Sequence, residues 1–161
     1  MTGPSDSVPP FSQAELAVVR RAFGRQMTAA SGVENAAVAA AFAAVPREDF
    51  LGPPPWMAGT PFGNHVLPGT DPVVLYQDLV VALDPARGVN NGSPSLHAKL
   101  LDAFGVRPGE HVVHIGAGGG YYSAILAELV GFSGRVTAVE FDPALAGRAR
   151  DNLARYRNIE V

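Results

Sequence analysis

Three glycines at alternate positions, Gly116-x-Gly118-x-Gly120, follow the short, mostly apolar run His111-Val112-Val113-His114-Ile115. Glycine lets a chain turn sharply and lets a ligand lie against bare main chain. A helix opens directly behind, and its first N–H groups have no intrahelical partners. Glu140 ends a second strand-like run, Arg135–Glu140, 24 positions after Gly116. A carboxylate there can accept both hydroxyls of a ribose, the part played by the acidic residue in nucleoside-binding doubly wound folds. The sixth position of the motif chooses among nucleosides. Dinucleotide binding asks for a small residue, so that helix and strand pack closely and a pyrophosphate can approach. This sequence has Tyr121. The G-x-G-x-G form suits S-adenosylmethionine, which has no phosphates to cradle, better than NAD. A glycine-rich turn without a ligand is the plainer alternative, and the pairing with Glu140 weighs against it. Gly116, Ala117, Gly118, Gly120 and Glu140 are the candidate cofactor residues.

Other reactive side chains carry less. His65, His97, His111 and His114 make no H-x-x-x-H pair and no cluster with acids, so they read as surface or internally satisfied histidines, not metal ligands. Trp56 sits in a proline-rich stretch, where it covers a peptide substrate or pins the loop to the core. Arg148, Arg150, Arg155 and Arg157 read as a solvated helix face that favours the helix C-terminus. Of Tyr121 and Tyr122, one lines the cofactor pocket and the other packs. Ser93, directly before Pro94, has the place of a helix N-cap followed by proline at the first helical position.

The elements that position these residues follow from spacing. Ser12 and Glu15 form a capping box. Leu16, Val19, Ala22, Phe23 and Met27 recur at helical intervals, which predicts an amphipathic helix over 13–30. An alanine-rich helix over 33–45 stops at Pro46. Residues 1–11 read as loose, and 51–72, crowded with proline and glycine, as a long irregular segment. Val73–Tyr76 and Leu79–Leu83 read as short strands. From 94 onward helix and strand alternate: a helix ending near Phe104–Gly105, strand 111–115, helix 122–130, strand 135–140, a helix from Asp142-Pro143 to about Arg157, and a strand begun by Asn158-Ile159. Such alternation implies a parallel sheet with crossover helices. The expected organisation is an N-terminal helical extension (1–50), a Pro/Gly-rich substrate-side segment (51–92) and a cofactor-binding half-domain (93–161).

Composition bounds the function. The 161 residues carry a formal charge of −3, with 17% charged and 47% hydrophobic residues. There is a core to bury and none of the basic excess that non-specific nucleic-acid binding needs. The absence of cysteine removes disulfides, thiolate zinc sites and cysteine nucleophiles together. No basic n-region precedes an apolar stretch, and the longest apolar run, Ala36 to Val45, is half the length of a membrane span. The expectation is a soluble, cytoplasmic protein with no nucleic-acid or membrane partner.

With these residues in place, the sequence resembles the protein-L-isoaspartate O-methyltransferases. Val45-Pro46-Arg47-Glu48-Asp49-Phe50, Tyr76-Gln77-Asp78, Ser93-Pro94 with Ala98, His111 to Gly131, Gly134 to Glu140, Leu145 to Leu153 and Asn158-Ile159 are similar to successive family segments. The resemblance implies an α/β, Rossmann-like doubly wound parallel sheet of the methyltransferase type, and methyl transfer from S-adenosylmethionine to the carboxylate of isoaspartyl residues in damaged proteins. Tyr121 fits the family's position beside the cofactor. Three features depart from the pattern. A serine that helps hold the substrate carboxylate would fall at Gly92, and Ser93 one place later is the candidate to take its catalytic role. His114 stands where an acidic residue is usual. The chain stops at Val161, at the start of the third strand. That stop implies a piece of a longer protein, or a sheet completed by a partner, with an exposed strand edge that invites self-association. Another methyl acceptor on the same fold, and a non-catalytic cofactor-binding or interaction module, are the alternatives.

Overall fold

The computed structural model describes residues 10–60 and 63–161. Most of residues 1–11, read as loose from sequence, lies outside the described part. Helix α1 runs Gln13–Ala30, with the Ser12–Glu15 capping box formed in both directions. Helix α2, Ala36–Ala44, starts later than the expected 33. Asn35 caps it, its side chain accepting from the amides of Ala37 and Val38, so the residues before it are committed to the turn. A one-turn helix α3, Glu48–Leu51, follows.

The stretch read as irregular is structured. Strands β1 (Met57–Thr60) and β2 (Gly63–Val66) form an antiparallel hairpin. β1 also pairs with β3 (Val80–Asp84), and β3 with the short β4 (Val89–Asn90), giving the order β2-β1-β3-β4. Residues 73–76, expected as a strand, fall instead in a 3-10 turn over Pro72–Leu75 and its C-cap Tyr76. Asp71 caps it and Pro72 fixes the backbone angle of its first residue. A small core of Leu51, Trp56, Ala58, Leu67, Leu75 and Val81 fills this sheet.

Helix α4 (Pro94–Phe104) leads to the second sheet, whose strands β5 (His111–Ile115), β6 (Arg135–Val139) and β7 (Ile159–Glu160) are parallel, in that order. The crossovers are α5 (Tyr121–Val130) and α6 (Pro143–Leu153). Helix α6 ends four residues before the expected Arg157, because the chain must turn back into β7. The Asn158 amide anchors that turn by donating to the carbonyls of Ala127 and Gly131 at the end of α5. Helix α5 is buried along nearly its whole length and joins α1, α2 and the sheet in one core. The opposite side of the sheet is open: Val113 is 55% exposed, Ile115 80% and Val139 44%. Among the described residues no helix is long and apolar enough to cross a membrane.

Candidate active site at the glycine loop

The loop between β5 and α5 turns at three left-handed glycines, Gly116, Gly118 and Gly120, with φ of 82°, 56° and 95°. L side chains rarely take such angles, which explains the alternate spacing. Each glycine also answers to different surroundings. A Cβ on Gly120 would lie 2.8 Å from Leu153 Cδ1, so Gly120 is where α6 packs against the loop. A Cβ on Gly118 would meet Leu83 at 3.3 Å, and one on Gly116 would meet nothing within 4 Å. The backbone at Gly116 is therefore open to a ligand.

The loop is braced from several sides. The amides of Gly116 and Ala117 donate to the Val139 carbonyl at 2.8 and 3.1 Å. Asn152 on α6 donates to the Gly119 carbonyl at 2.8 Å. Glu140, one residue past β6, accepts from the Gly118 amide at 2.7 Å and from the Asp142 amide at 2.9 Å. The carboxylate thus faces the glycine loop, as its position at the strand end requires.

A cavity of about 230 Å³ opens beside the loop, lined by Gly116–Gly119, Phe50, Leu51, Leu83 and the two tyrosines, with Asn90, Asn91, Gly92, His97 and His114 on the other wall. Glu140, Gly120 and Ser93 do not line it; Glu140 reaches it through the Gly118 amide. Both tyrosines line the pocket and both pack. Tyr121 contacts Phe42 and Phe50 edge-on. Tyr122 stacks face to face on His97, with centroids 3.5 Å apart. Burial pushes both phenols far above their ordinary range. Their hydroxyls, and the Asn91 side-chain nitrogen, are buried without a hydrogen-bond partner. Unmatched polar atoms of this kind are rare in a folded interior. Beside the cavity, the open backbone at Gly116 and the carboxylate on the loop fit a polar nucleoside.

The wall facing the glycine loop is braced by the start of α4. Ser93 caps the helix, its hydroxyl accepting from the Leu96 amide at 3.3 Å and donating to Asp78 at 3.2 Å. Asp78 also accepts from the Ser95 amide at 3.0 Å and from the Ser95 hydroxyl. Partial burial opposes ionisation of Asp78, but the hydrogen bonds from Ser95 and Ser93 outweigh it and hold the carboxyl below its usual range. Gly92 has φ of 72°, and a Cβ there would strike His97 Cε1 at 2.5 Å. The imidazole of His97 fills the space that a side chain at 92 would take. His97 Nδ1 bonds the Ser93 carbonyl and His114 Nδ1 bonds the buried Ser123 hydroxyl, each at 2.8 Å. Burial lowers the pKa of both rings, and His114 is lowered further by His97.

Sequence reasoning placed the glycines and Glu140 together and missed much of the opposite wall. His97 reads from sequence as a surface or satisfied histidine, and nothing in its spacing or in that of Asn91 links them to a motif 19 or more residues on. Trp56 pins its loop: it is buried and donates to the Gly52 carbonyl at 2.9 Å. Among the described residues no three His, Cys, Asp or Glu side chains gather as metal ligands.

The family model for protein-L-isoaspartate(D-aspartate) O-methyltransferase matches residues 21–161. A protein-L-isoaspartate O-methyltransferase of Aeropyrum pernix is 34% identical over 152 residues, covering 93% of this chain and 50% of the relative. One from Methylorubrum extorquens is 33% identical over 153 residues, covering 95% of this chain and 57% of the relative. The chain spans about half the length of these curated relatives. A solved protein-L-isoaspartate O-methyltransferase superposes with a TM-score of 0.68 at 28% identity, over 87% of this chain and 40% of the other.

Proposed function

Since the chain belongs to the protein-L-isoaspartate O-methyltransferase family, we propose that its glycine-loop cavity binds S-adenosylmethionine and serves methyl transfer to the carboxylate of an isoaspartyl residue in a protein or peptide. The observation that carries this reading is the Glu140 carboxylate on the Gly118 amide, beside open backbone at Gly116. Gly116, Ala117, Gly118 and Gly120 shape the loop, Tyr121 lines the cavity and Glu140 takes the ribose. When bound, the cofactor supplies an electrophilic methyl group on a sulfonium centre. The protein's task is then to align an acceptor oxygen with that group and to exclude water, and alignment alone is worth several orders of magnitude in rate. No proton has to move for a carboxylate acceptor. Ser93 contributes from the acceptor side by fixing the turn 90–95 through its cap and its bond to Asp78.

A second reading, the same fold with another methyl acceptor, is favoured by one observation: His97 fills the space at Gly92. A second partner is another copy of the chain, through the open edge of β5.

Calorimetry with S-adenosylhomocysteine tests the cofactor reading. Glu140→Ala removes two backbone partners and the ribose acceptor, and is expected to weaken binding at least tenfold, about 1.4 kcal/mol. No heat from the folded wild-type chain sinks the proposal. Methyl transfer to an isoaspartyl peptide, with none to its aspartyl twin, separates the repair reading from the second one.

A further inference from the structure

A groove of about 350 Å³ lies between the small antiparallel sheet and α6, behind the proposed cofactor site. Its floor is a row across three strands. Met57 pairs with Val66, and Ala82 stands one residue on from the Ala58–Val81 pair. Pro55 and Pro85 form its sides. Proline walls and a paired sheet lose little freedom when an extended chain lies along them. Leu51 and Leu83 line this groove and the glycine-loop cavity alike, so the two lie side by side. Leu83 is the partition between them, 3.3 Å from where a Cβ on Gly118 would lie.

One charged side chain lines the groove, Arg148. Its guanidinium donates to the Leu83 carbonyl at 3.3 Å and lies beside Gly52, and among the described residues no carboxylate pairs with it. Arg87 nearby is different, being held by both Asp84 and Asp142. A half-buried, unpaired guanidinium at the side of an apolar groove is matched by a carboxylate carried on an apolar segment. Arg148 does not line the cavity at the glycine loop, so the carboxylate it meets is not the one to be methylated.

We propose that this groove seats an extended segment of the protein or peptide substrate and that Arg148 selects an aspartate or glutamate flanking the methyl acceptor. The proposal rests on the methyl-transfer reading above and adds to it a preference for acidic sequence context.

The test uses a fluorescein-labelled peptide with a central isoaspartyl residue flanked on each side by valine and aspartate, and a twin with asparagine in place of the flanking aspartates. Binding is read by anisotropy in saturating S-adenosylhomocysteine, with binding of the latter measured separately by calorimetry. The aspartyl peptide is expected to bind about fivefold tighter than its twin, the scale of a partly exposed ion pair. Arg148→Gln removes the preference, Arg148→Lys keeps part of it, and S-adenosylhomocysteine affinity is unchanged in both. Equal affinity of the two peptides for the wild-type chain, undetectable binding of both included, overturns the proposal, as does a preference that survives in Arg148→Gln. A chain that keeps the preference but takes up no S-adenosylhomocysteine sinks the cofactor reading and leaves the groove standing.

Discussion

At Glu140 the carboxylate oxygens already accept from the amides of Gly118 and Asp142, which sets the loop before any ligand arrives. Preset polar groups of this kind cost little reorganisation when a partner binds. His97 and His114 on the facing wall carry a stability signature. Burial holds both below the ordinary imidazole value of 6.5, so the folded state binds protons less readily than the unfolded one. Stability is then full above about pH 6.5 and falls as the pH drops through the folded-state values, by at most about 1.4 kcal/mol per pH unit for each ring. Urea midpoints measured between pH 7.5 and about pH 5 are expected to fall, and to fall less steeply in His114→Gln. An identical slope in the variant removes His114 from this account. The glycines and Glu140 were legible in sequence because backbone angles and strand ends are local rules. His97, Asn91 and Asn152 were not, because a folded α4, β4 and α6 must first bring them to the loop.

Arg47 shows what an element junction can hide. It is fully buried, following Pro46, and its guanidinium donates to the carbonyls of Leu75, Gln77 and Leu79 while lying over the rings of Phe23 and Tyr121. One side chain thus ties the end of α2 to the segment that carries Asp78, and Asp78 in turn fixes the start of α4. Arg47→Met keeps the stem and takes the guanidinium donor from all three carbonyls, of which that of Gln77 keeps the Leu79 amide. The expected cost is about 3 kcal/mol, read as a lower urea midpoint with an unchanged slope. A loss under about 0.5 kcal/mol shows that water replaces the guanidinium freely. Sequence reading took the Arg47 segment only as a point of family resemblance. It also took the prolines and glycines of 51–72 as irregular, although prolines flank the β1–β2 hairpin and leave its pairing untouched. The alternating helices and strands from residue 94 were read correctly because hydrophobic period and caps agree there.

At the scale of the whole molecule, the family match bears out the sequence resemblance, and the sheet carries an asymmetry that composition could not reveal. Parallel sheets are ordinarily covered on both faces. Here the helices cover one, while Val113, Ile115 and Val139 are exposed on the other and, among the described residues, no strand pairs with the outer edge of β5. The chain by itself is expected to associate as its concentration rises in sedimentation velocity, and Val113→Lys with Ile115→Lys to restore the monomer. A wild-type chain that stays monomeric throughout rules out pairing through this edge. Trp56 has a different consequence. It is the sole tryptophan, and it lies in the small core of the antiparallel sheet, whereas the helices belong to the larger core around α5. Indole emission during denaturation therefore reports one half of the molecule and far-ultraviolet circular dichroism the other, so a single sample reveals whether the two halves melt together or in turn.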